Sequence, residues 1–172
     1  IFDNGGAFFG CWRSGIKQRI KPDGHDTWTV DQQQAYQEKI QKAQAKAKEQ
    51  RLRENKRAER KVLELWNSAT PAPVEHPYLI SKQVKPNGTR FRGGRLIIPI
   101  YDQTGKIVSI QYVGQVGKKQ FFPGGNTSGG FFAIGGNDFS NGGFICEGFA
   151  TGCSIHEATG KPVIVAFNSG NL

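Results

Sequence analysis

Methionine is absent from all 172 residues, and the first residue is an isoleucine. Both ends therefore read as cuts in a larger protein. Cysteine is scarce. Cys11, Cys146 and Cys153 are too few and too scattered for a disulfide framework, which points to a reducing compartment. No apolar run approaches the roughly 18 residues of a membrane helix, and no signal peptide is visible. No Gly-Lys-Ser/Thr follows the glycine-rich stretch at 124–130, so it reads as a flexible hairpin loop rather than a phosphate loop. Cys11 and His25 are too few to make a structural zinc site, which needs four closely spaced ligands, and no zinc is expected.

Acids are also in short supply. There are 14 Asp and Glu against 23 Lys and Arg, a formal net charge of +9. That balance favours a polyanionic partner, of which nucleic acid is the common kind. The plainer alternative is a lysine-rich surface facing water.

Glycine and proline are missing between Val30 and Trp66, where Ala, Gln, Lys, Glu and Arg dominate. All are good helix formers, and Thr29 with Gln32 three residues on fits a capping box. A long charged helix over 29–67 follows. Arg51, Arg53, Lys56, Arg57, Arg60 and Lys61 are available for a phosphate-facing side. The competing reading is a solvated spacer with i,i+4 pairs such as Glu38–Lys42. Residues 1–28 read as two short strands, the tail of an upstream domain.

Residues 68–142 carry a short helix from His76-Pro77-Tyr78-Leu79 and then a series of strand signals. Arg95–Tyr101 and residues 106–113 flank Asp102-Gln103-Thr104-Gly105 as a hairpin. Two shorter strands are expected around Gln120-Phe121 and Phe131-Phe132. This subdomain holds Lys82, Arg90, Arg92, Arg95, Lys118 and Lys119 as candidate nucleic-acid contacts, with Tyr112, Phe121 and Phe122 available for base stacking. Residues 143–172 read as strand, helix and parallel strand. Glu147 ends the first of these strands, where ligands of open α/β sheets bind, and it is the first choice for a metal-linked catalytic residue. The alternative for Glu147 is an acid complementing the helix dipole. The whole reads as α+β: a long charged helix, a mainly antiparallel β region, then one βαβ unit.

From about Trp66 onward the motifs resemble the Toprim-domain DNA primases of phages and plasmids. They are His76-Pro77-Tyr78-Leu79 with Lys82, Leu96-Ile97-Ile98-Pro99-Ile100 with Asp102 and Gly105, and Gln111-Tyr112. Lys118-Lys119-Gln120-Phe121-Phe122-Pro123-Gly124, Glu147-Gly148-Phe149-Ala150-Thr151-Gly152 and Ala166-Phe167-Asn168-Ser169-Gly170-Asn171-Leu172 complete the set. The resemblance implies a truncated Toprim α/β domain at 143–172 in a nucleotidyltransferase that makes RNA primers on single-stranded DNA. It implies Mg2+ or Mn2+ held by Glu147 together with acids beyond Leu172, and Gly148 and Asn168 near the nucleotide. Partners would be template, ribonucleotides and a replicative helicase, in the bacterial host cytosol and with no membrane. No Asp-x-Asp pair of the kind that completes a Toprim metal site occurs in these residues, so the segment alone is expected to be inactive. Two other readings stay open: another Toprim enzyme (topoisomerase or nuclease), and a non-catalytic module binding single-stranded DNA or a helicase.

Overall fold

The computed structural model describes residues 7–11, 16–21 and 27–172. The chain divides into two compact units, Ile1–Gln50 and Arg51–Leu172. In the first, β1 (Ala7–Cys11) and β2 (Ile16–Ile20) pair antiparallel, Ala7 opposite Ile20 and Cys11 opposite Ile16. α1 runs from Val30 to Ser68. Its start is the expected capping box: Gln32 N–H donates to Thr29 Oγ1 (3.3 Å) and Thr29 N–H donates to Gln32 Oε1 (2.9 Å). Each partner satisfies an otherwise orphaned N–H of the first turn. Glu38 and Lys42 form the i,i+4 ion pair at 3.8 Å. Both side chains are well exposed, so the pair contributes at most about 0.5 kcal/mol.

The second unit is built on a five-stranded antiparallel sheet in the order β3 (Thr70–Pro71), β4 (Arg90–Arg92), β5 (Arg95–Tyr101), β6 (Ile107–Val113), β7 (Lys119–Phe121). Pro71 is tolerated because β3 is an edge strand. Gly93 and Gly94 close the β4–β5 hairpin at φ +57° and +75°, a two-residue turn that needs positive φ at both positions. In the β5–β6 turn one Asp102 carboxylate oxygen accepts from Thr104 N–H (2.9 Å), the Thr104 hydroxyl (2.6 Å) and Lys106 N–H (3.0 Å). These bonds hold its carboxyl below the usual carboxylate range.

Strand alternation gives the sheet two different apolar faces. One carries Ile97, Ile110 and Tyr112 under Val62, Leu65 and Trp66 of α1. The other carries Leu96, Ile98, Ile100 and Val113. Val108 shares this second side although Ile110 does not. The reason is a bulge, because Ile100 pairs with Ser109 and Tyr101 with Ile107, so one extra residue in β6 reverses the parity.

Over the second face lie α2 (Pro77–Lys82), α3 (Phe149–Thr159) and a three-stranded sheet of β8 (Phe132–Ile134), β10 (Val163–Val165) and β9 (Phe144–Cys146), in that order. β9 and β10 are parallel, as read from the sequence, with α3 between them. β8 differs from expectation. It leaves the hairpin series and pairs antiparallel with β10, so the last segment is a three-stranded sheet rather than a bare βαβ unit. The stretch at 124–130 therefore joins two sheets and is no hairpin loop.

Nor is that stretch loose. A Cβ on Gly125 would stand 2.2 Å from Ser109 Oγ, and one on Gly130 2.5 Å from Ile100 Cγ2. The loop lies against the sheet, and these glycines permit the close approach. Asn171, in a single 3-10 turn over Ser169–Asn171, clamps it. The Asn171 amide nitrogen lies within hydrogen-bond distance of the carbonyls of Thr127 (2.7 Å), Gly130 (3.0 Å) and Ala166 (3.0 Å). Its side-chain oxygen accepts from Gly129 N–H at 3.0 Å. The carboxamide is thus fully used in holding loop to strand.

Cys146 and Cys153 are free, buried thiols. Burial pushes the Cys153 thiol up to about 12 and also raises Cys146. Among the described residues no helix is long and apolar enough to cross a membrane.

Candidate active site

Glu147 stands directly after β9, at the carboxyl end of the two parallel strands, and is exposed. Its backbone extends the parallel ladder: Ala166 N–H donates to Cys146 O (2.8 Å) and Phe167 N–H to Glu147 O (2.9 Å). Gly148 follows in extended conformation, and α3 begins at Phe149 with no side-chain cap. The first N–H groups of α3 are left open beside the carboxylate, and such a helix end attracts anions.

Two glycines of the Glu-Gly-Phe-Ala-Thr-Gly motif do different things. At Gly148 a Cβ would meet its nearest neighbours only at 3.6 and 3.8 Å, so its place does not depend on packing. At Gly152 a Cβ would stand 2.9 Å from Val165, 3.1 Å from Ile134 and 3.2 Å from Cys146. Gly152 lets α3 seat directly on β8, β9 and β10, which holds the helix N-terminus beside Glu147.

Phe167 was not singled out by the sequence. It has φ +67°, and Asn168 N–H donates back to Ala166 O at 2.9 Å, closing a γ-turn at the end of β10. A non-glycine residue in this form stores about 1–3 kcal/mol of strain, a feature that concentrates at functional sites. Phe167 is anchored edge-on to Phe121 of β7, ring centroids 6.4 Å apart. Asn168 is half-buried beside it. Nothing in the composition marks a phenylalanine for positive φ, so this residue was legible only in the backbone.

The six predicted cations do not form one surface. Register places Lys119 and Phe121 on the α3 side of the sheet, opposite Val113 and Gln111. The Lys119 ammonium lies 3.6 Å from where a Gly148 Cβ would stand, so it reaches the segment that carries Glu147. Arg90, Arg92 and Arg95 share the other face with Ile97. There Arg90 donates to Trp66 O (2.5 Å) and its guanidinium sits 4.4 Å from the centre of the Trp66 ring. Arg92 donates to Ser68 Oγ, and Arg95 covers Tyr112 at 4.1 Å. Lys118 is exposed in the β6–β7 turn outside the strand, and Lys82 is exposed in the last turn of α2.

Of the aromatics available for stacking, Tyr112 and Phe121 are taken up in packing. Tyr112 is buried beneath Arg95 and beside Phe122, and Phe121 packs on Phe167. Their apolar area is more valuable in the two cores than in water. His76 has a helix-start role: its Nδ1 accepts from Tyr78 N–H at 3.3 Å, and the buried ring reaches Gly94 O and Phe91.

Among the described residues no three His, Cys, Asp or Glu side chains gather into a metal site. Glu147 suits Mg2+ or Mn2+ as one carboxylate of a set, since Mg2+ takes only one or two protein acids and completes its shell with water and phosphate.

Two curated proteins, both named DNA primase TraC and both from Escherichia coli, are similar to this chain. One is 30% identical over 166 residues. The similarity is thus to plasmid-type DNA primases. The second protein is 34% identical over 108 residues. The first match takes in 93% of this chain and 16% of the relative; the second takes in 58% of this chain and 8% of the relative. The chain thus spans a small part of the primases it resembles. No family model matches it, and no solved structure matches it.

Proposed function

We propose that this chain is the part of a phage- or plasmid-type DNA primase in which the polymerising site begins. The similarity to the TraC primases carries the reading, and Glu147 at the carboxyl end of parallel strands supports it. The reaction is RNA primer synthesis on single-stranded DNA. A 3′-hydroxyl oxygen attacks the α-phosphorus of a ribonucleoside triphosphate. The bond to pyrophosphate breaks and the hydroxyl proton leaves.

Glu147 would be one ligand of Mg2+ or Mn2+, in a Toprim-type domain whose remaining acids lie elsewhere in the parent protein. Such a metal, when bound, stabilises charge on the attacking and departing oxygens. The chain's own residues orient the triphosphate. Lys119 and the uncapped N–H groups of α3 supply positive charge on the side where Glu147 supplies negative. Gly148 keeps that segment bare, and the turn at Phe167 and Asn168 borders it. The template would track Lys82 and Lys118, which are exposed and engaged in neither core. A replicative helicase is a further partner of the parent protein, and the bacterial cytosol its place of action.

The test uses a longer protein containing this segment, labelled ribonucleotides and a single-stranded template. Glu147→Gln should lower primer synthesis by about 100-fold or more, the scale of losing one charge-stabilising group. Full activity of Glu147→Gln would remove Glu147 from the site. No oligoribonucleotides from the unmodified protein with either metal would overturn the primase reading. The segment 1–172 alone should make none, since among its described residues no three His, Cys, Asp or Glu side chains gather into a metal site.

A further inference from the structure

The outward side of α1 within the second unit carries a charge pattern that its own helix does not explain. Ala58, Val62, Leu65 and Trp66 face the sheet, with Glu59 beside them bonded to Lys106. Lys56, Arg57, Arg60 and Lys61 are all exposed on the turns between. Lys56–Arg60 and Arg57–Lys61 are i,i+4 neighbours of like charge, and Arg57–Arg60 is an i,i+3 pair. Each such pair destabilises a helix by about 0.2–0.5 kcal/mol. Glu54 and Glu64 flank the set, leaving two cations in excess. None of the four side chains forms an ion pair or hydrogen bond among the described residues. α1 uses the stabilising alternative elsewhere, in Glu38–Lys42.

We infer that Lys56, Arg57, Arg60 and Lys61 form a strip that holds the phosphate backbone of single-stranded DNA. Each four-residue step along α1 advances the charge by about 6 Å. Two adjacent rows of such steps present a linear cationic track to a linear polyanion. The strip lies on an outward helix surface and uses none of the residues assigned to the polymerising site. The identity of its DNA rests on the primase reading, whereas its charge and exposure do not.

The experiment replaces all four by glutamine in the longer protein and follows DNA affinity against salt. The slope of log affinity on log salt should fall by about 3, four contacts at roughly 0.7 each for a single strand. Affinity should drop at least 10-fold at low salt, for every template sequence alike. Circular dichroism should be unchanged, because the replaced side chains face water. An unchanged slope overturns the strip. So does an equal loss from Lys39→Gln, Lys42→Gln and Lys46→Gln together, since that would be a general charge effect. A slope change with duplex DNA alone overturns the assignment to single strands. If the unmodified protein makes primers while the quadruple variant binds DNA normally, the strip fails and the primase reading stands. If the unmodified protein makes none, the primase reading fails and the salt slope still decides the strip.

Discussion

The two faces of the five-stranded sheet start from the same material and end differently. Both are lined by alternating aliphatic residues of β5 and β6, and both receive cations from neighbouring strands. On the α1 face, Arg90, Arg92 and Arg95 are engaged with Trp66, Ser68 and Tyr112. Their guanidiniums close the edge of a core. On the α3 face, Lys119 stays exposed and approaches Gly148, beside an exposed carboxylate and an uncapped helix start. Aromatic rings explain the difference. A planar guanidinium can stack on Trp66 or Tyr112 while its donors reach a carbonyl or hydroxyl, whereas the compact ammonium of Lys119 has no plane to stack and stays exposed.

The comparison can be broken at several points. The largest effect should come from Phe149→Ala. Phe149 is fully buried between α3 and the sheets, and its loss should cost about 3–5 kcal/mol in denaturant unfolding. A cost below about 1 kcal/mol would mean that α3 is not seated as described. Arg90→Met should follow at about 1.5–3 kcal/mol, because Trp66 O loses a charged donor in a part-buried place. DNA affinity should change little, and the reverse result would move Arg90 to the binding surface.

Alkaline pH probes the α3 face through Cys153. The Cys153 thiol is raised from 9.0 to about 12 by burial. A raised pKa gives stability that is whole below pH 9 and is lost as pH rises toward 12. Above pH 9 the decline should approach 1.4 kcal/mol per pH unit from this group. Cys153→Ala should flatten that part of the melting-temperature curve, and an unchanged curve would remove Cys153 as its source. The smallest stability effect belongs to Lys119→Met, within about 0.5 kcal/mol for an exposed side chain. Its consequence should be chemical: primer synthesis reduced about 10-fold or more, with nucleotide saturation shifted upward. A variant that melts early and polymerises normally would make Lys119 structural and erase the contrast.

Much of this fold was readable in order. A helix without glycine or proline, capped by Thr29 and Gln32, was secure because capping and propensity are local. The β5–β6 hairpin and the β9–α3–β10 unit were equally local. The place of Glu147 at the end of β9 was legible because a strand, an acid and a glycine are consecutive. The path of β8 was not, since Phe132–Ile134 would suit either sheet and only pairing with β10 decides. Strand alternation already put Phe121 and Phe122 on opposite sides, as the two apolar clusters have them, but which aromatics would be core rather than base-stacking was not legible, because such a side chain suits a core and a base equally well.

Sequence by itself determined the long basic helix, the α+β order of elements, the excess of positive charge and the acid at the end of β9. Each follows from propensity, periodicity or composition, which act over a few residues. Tertiary structure decided which cations are free and which are bound. It brought Lys119 to Gly148 across 29 positions of chain and turned the 124–130 loop into a packed, clamped bridge through Asn171. It also forced Phe167 into positive φ. Those outcomes depend on register, on a single bulge in β6 and on competition for buried aromatic surface, and none of these is a property of neighbours in sequence.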